Sequence, residues 1–120
     1  MRYLIALIMI MFGTNACAWS DWTLEQRRWY LASNIAIVAD WATTRDLSRR
    51  YDEGYYEVNP LVGRRPSTGR VDQHFIGSLI LHYFITDWLD DDRMFYLKTV
   101  TVVEGALVAH NLNIGLRLRF

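Results

Sequence analysis

Three long stretches of this chain carry almost no charge, and they decide what it can fold into. The first runs from Trp29 to Thr44 and is broken only by Asp40. The second runs from His74 to Leu89, the third from about Arg93 to His110 or Asn111. Their length and near-uniform apolarity predict helices, even where Thr99 to Val103 is β-branched. Local signals agree. Thr23 followed by Gln26 is a capping box, and Ser67, Thr68 or Asp72 is placed to cap the second helix. Pro60 and Pro66 break the connection between the first two. The expected fold is all-α: helices at about 23–49, 70–89 and 93–111 in a three-helix bundle, with a short extended tail.

Residues 1–18 stand apart. Met1 and Arg2 precede an apolar run from Tyr3 to Gly13, and Ala16 and Ala18 sit at −3 and −1 of a cut after Ala18. That layout predicts a secretory signal peptide. The alternatives are an uncleaved first membrane helix, shorter than the roughly 20 residues a comfortable span needs, and a lipidated Cys17 without the usual leucine at −3. Residues 19–120 then form a single helical domain.

Apolar residues reach 52% and aromatics 14%, which is rich for a small soluble domain. Thirteen basic residues balance thirteen acidic ones, so no global field favours nucleic acid. The charges are segregated instead. Arg45, Arg49, Arg50, Arg64, Arg65 and Arg70 lie around the first connection. Asp87, Asp90, Asp91 and Asp92 surround the second. The positive-inside rule then predicts a multi-pass protein of a bacterial inner membrane, with the first connection and the C-terminus cytoplasmic. A periplasmic bundle with unusually apolar helices is the competing expectation.

Polar residues recur at helical spacing inside the apolar stretches. Asp40 and Thr44 share a face of the first helix, and His74, Ser78 and His82 one of the second. Glu104 and Asn111 lie on a stripe of the third. Such groups should turn inward, as mutual partners or as a functional site. The candidate acid–base residues are Asp40, Glu57 and Glu104. His74 and His82 are candidate metal ligands, although they lie about 12 Å apart along one helix and so cannot share one ion. His74 is the preferred partner for the acids. Thr44, Asn59, Ser78 and Asn111 are expected as structural polar groups, and Arg64, Arg65 and Arg70 as contacts for lipid phosphate.

The spacing of Asp40, Thr44, Glu57, Asn59 and Pro60 resembles a family of small bacterial and phage-borne membrane proteins, a domain of unknown function. Its members show D-x-x-x-T on one helix and then an E-x-N-P turn. The resemblance covers about residues 36–118 and implies a multi-helix membrane protein, with no activity attached. Three functions follow as expectations. The first is a non-enzymatic structural, lipid-binding or partner-binding role, with membrane lipids, a protein partner or a second copy as partners and no cofactor. The second is an intramembrane metal- or acid/base-dependent hydrolase of a lipid-like substrate. The third is a phage holin or superinfection-exclusion type protein.

Overall fold

The computed structural model describes residues 21–120; the expected signal segment and Cys17 lie outside the described residues. Helix α1 spans Leu24–Ser48, α2 Thr68–Trp88 and α3 Arg93–Asn113, and a single 3₁₀ turn covers Tyr51–Glu53. All three helices begin within two residues of the expected positions. The capping box forms as expected: Thr23 Oγ1 accepts from the Gln26 N–H at 3.1 Å, and Gln26 Oε1 accepts from the Thr23 N–H at 2.9 Å. Of the three candidate caps for α2, Ser67 does the work, accepting from the Arg70 N–H at 3.2 Å.

Helix α1 is the centre of the bundle. It packs most extensively along α3 and less against α2, while α2 and α3 barely meet. Two apolar clusters hold the ends. Ile37, Trp41, Val62, Val71, Phe75 and Leu79 form one; Trp22, Tyr30 and Leu97 form the other. Arg93 closes the α2–α3 turn. It is 6% exposed and its Nε and Nη2 donate to the Thr86 and Asp87 carbonyls at 2.7 and 3.1 Å. Those carbonyls at the end of α2 would otherwise lack partners.

The first connection and the tail lie at one end of the bundle. Asp46, 1% exposed, accepts from Arg50 Nη1 at 3.1 Å and from the Arg117 N–H at 2.8 Å. Arg50 Nη1 also donates to the Gly115 carbonyl at 2.8 Å, and the Tyr55 hydroxyl to the Ile114 carbonyl at 2.9 Å. Gly115 carries φ +96°, and a Cβ there would come within 3.0 Å of that hydroxyl. The turn therefore favours glycine on both counts.

The polarity of the bundle is arranged inside out. Ser33, Asn34, Thr43, Thr44, His82 and Thr86 are buried, whereas Ile35, Phe84, Trp88, Phe95 and Val102 are more than 60% exposed. Among the described residues no helix is long and apolar enough to cross a membrane, so the expected spans find no support in helix hydropathy. The physical reason is visible in the packing. Each helix spends one face on inward polar groups, and that face dilutes its mean hydropathy.

Candidate functional site

The polar faces of the three helices meet at one cavity of about 240 Å³. Asp40 of α1, His74, Ser78 and His82 of α2, and Tyr96 and Glu104 of α3 line it, with Asn59 reaching in from the connection. Ile37, Phe75 and Val100 supply apolar wall. No lysine or arginine is among its lining residues.

At its centre Asp40 and Glu104 form a carboxyl pair. Asp40 is 8% exposed. Asn111 Nδ2 donates to Asp40 Oδ1 at 2.9 Å and to Thr43 Oγ1 at 2.9 Å. Thr43 Oγ1 in turn donates to the Asp40 carbonyl at 3.0 Å. Glu104 hydrogen-bonds the Asp40 carboxyl. Among the described residues no amide, hydroxyl or amine donor reaches the buried Glu104 Oε2. Two negative charges this close would repel, which favours a proton held between the two carboxyls.

Burial, then the negative charge of Glu104 and that of Glu57, pushes the Asp40 carboxyl up to about 7. Burial also raises Glu104, while its hydrogen bond to Asp40 pulls it back toward ionisation.

His82 is held as a neutral ring. It is 3% exposed, stacks on Tyr30 with centroids 5.3 Å apart, and burial pushes it down to about 4. Its Nε2 lies 2.8 Å from Ser33 Oγ and its Nδ1 2.9 Å from the Tyr96 hydroxyl. Ser33 spends its only hydroxyl hydrogen on the Tyr30 carbonyl at 2.8 Å. His82 Nε2–H must then donate to Ser33, and Nδ1 must accept from Tyr96. Both nitrogens are committed, so His82 is not free to ligate a metal. No group of three His, Cys, Asp or Glu able to hold a metal ion exists among the described residues.

The other sequence-derived candidates fall into place around this pair. Glu57 is engaged in its own turn. Its Oε1 accepts from the Val58 and Asn59 N–H groups at 2.9 and 2.8 Å. Asn59 Oδ1 accepts from the Leu61 N–H at 3.0 Å. The E-x-N-P motif is thus a self-bonded turn that sets Asn59 against the cavity and drives Val62, 1% exposed, into the core. Thr44 is buried, but its neighbour Thr43 braces the acids. Arg64 and Arg65 on the connection and Arg70 in the first turn of α2 are exposed and do not line the cavity. Sequence reasoning missed Tyr96. A signal existed for Tyr96, which stands at i−8 from Glu104 and so on the same α3 face.

Fold and site together define an all-α bundle whose three helices bring a carboxyl pair, Asp40 and Glu104, to one cavity. No family model matches the chain, and neither the curated proteins nor the solved structures contain a match.

Proposed function

We propose that this chain is a small membrane-bound binding protein whose interhelical cavity takes a ligand with an apolar body and a hydrogen-bonding head. One observation carries the reading: polar side chains from all three helices and the connection converge on the same 240 Å³ space, which has an apolar wall. The apolar outer faces of α2 and α3 support placement against lipid, since exposed apolar surface of this extent marks a membrane or protein contact. Cell fractionation is expected to bring the chain down with membranes. Recovery in the soluble fraction would remove this part of the reading.

The cavity itself is tested with a neutral fluorescent aromatic, 1-aminonaphthalene. Saturable binding is expected for the native chain, with a loss of about tenfold or more in Ser78→Phe, whose ring fills the space. Equal binding by both proteins would place the probe on the outer surface and end the cavity reading.

General acid–base chemistry on a bound substrate is the second reading. It is favoured by Asp40, which titrates near neutrality, where proton exchange is most effective. In that case Asp40→Asn abolishes turnover and leaves probe binding intact.

A further inference from the structure

The cavity gathers carboxyl groups and has no lysine or arginine in its lining. Asp40 and Glu104 contribute its charge, with Glu57 behind them on the connection. His82 is neutral and engaged, the Tyr96 hydroxyl is spent on it, and His74 is the other basic side chain in the lining. An anionic head would meet two carboxyl groups with no lysine or arginine to offset them. A cation would be attracted, and the buried Glu104 Oε2 is an acceptor with no N–H or O–H donor among the described residues apart from its carboxyl partner.

A metal ion fits poorly, because two carboxylates are too few ligands for a hard divalent ion and no third ligand group assembles. An organic ammonium fits both halves of the space. Its N–H groups would bridge the two carboxyls through charge-assisted bonds, and Phe75, Ile37 and Val100 would receive its apolar body.

We propose that the cavity binds a small primary ammonium ligand, whose N–H groups bridge the Asp40 and Glu104 carboxyls. This rests on the cavity being a ligand site. The exchange balances: the ammonium keeps its three hydrogens, the pair becomes two carboxylates, and the proton held between them goes to solvent. Affinity should therefore rise with pH until the pair has lost its proton.

The test is calorimetric titration of the full chain with benzylammonium, benzyl alcohol, benzoate and benzyltrimethylammonium. Phosphate and MOPS, neither a primary amine, serve as buffers at pH 6. Benzylammonium is expected to bind about tenfold or more tighter than benzyl alcohol, since one or two bonds to charged groups separate them. Benzoate should not bind. About one proton should be released per ammonium, seen as a heat that differs between the two buffers. Glu104→Gln should lose both the preference and the proton release while still binding benzyl alcohol.

Equal affinity for the alcohol and the ammonium would overturn the ammonium assignment and leave the cavity reading standing. So would equal affinity for the quaternary ion, which has no N–H to give. Failure of the alcohol, the ammonium and 1-aminonaphthalene together would overturn both.

Discussion

Trp41→Ala is expected to cost about 3–5 kcal/mol of folding free energy, the range for removing a large buried aromatic. Trp41 is 3% exposed and joins three parts of the fold. Its ring stacks on Phe75 of α2 at 6.2 Å and meets the edge of Phe120 in the tail at 5.3 Å. Its indole N–H donates to Asp72 Oδ1 at 2.8 Å. Asp72 also pairs with Arg45 at 3.4 Å, so the truncation leaves Asp72 one partner. Trp41→Phe, which keeps a ring for the stack but loses the N–H and part of the ring volume, should cost less, about 1–3 kcal/mol. Urea unfolding followed by circular dichroism reads both. A loss below about 1 kcal/mol for the alanine variant would mean that the tail and α2 are not held through this ring. Phe75 also walls the cavity, so weaker probe binding should accompany the loss.

The features legible in the sequence were those set by neighbours along the chain. The Thr23–Gln26 box depends on residues three apart, and the reading of Asn59-Pro60 as a turn needed no tertiary information. Asp40, Glu104 and Asn111 stood out because carboxylates and amides are costly inside apolar helices. Their meeting was expected from the faces, and Asn111 does reach Asp40 across 71 positions. What could not be read was the rotation of each helix about its own axis. Ser33 and His82 are 49 positions apart, and periodicity alone does not say which histidine meets which hydroxyl. His74 was preferred over His82 from helix ends alone; both line the cavity, and it is His82 whose ring nitrogens are fully engaged. Nothing in the sequence singles out Asp46, yet it anchors Arg50 and the Arg117 backbone. The expectation of spans came from averaging apolar residues over whole stretches. Hydropathy averaged over a helix cannot tell an outward apolar face from an inward polar one.

Asp40→Asn is expected to reverse the pH dependence of stability, because two buried groups oppose each other. Asp40 ordinarily ionises near 3.8 but keeps its proton to about 7 in the folded chain. Between those values unfolding releases a proton, so Asp40 makes stability fall as pH rises, by up to about 1.4 kcal/mol per unit. Burial raises Glu104 as well, which adds to the same slope. His82 ordinarily titrates near 6.5 but stays neutral down to about 4 when folded. Between those values unfolding takes up a proton, so His82 makes stability rise with pH. The native chain should therefore fall gently from pH 4 to 6.5, where His82 offsets part of the decline, and more steeply toward pH 7. Asp40→Asn keeps an acceptor for Asn111 and removes most of the falling limb. Its stability should climb from pH 4 to 6.5, level off, and exceed the native value by about 2–4 kcal/mol at pH 8. His82→Gln can still bond Ser33 and Tyr96, and it should instead lose stability from pH 4 to 7. Urea midpoints of the three proteins between pH 4 and 8 decide the matter. Parallel curves for Asp40→Asn and the native chain would mean that Asp40 is ionised in the fold, and the shared proton would have to be abandoned.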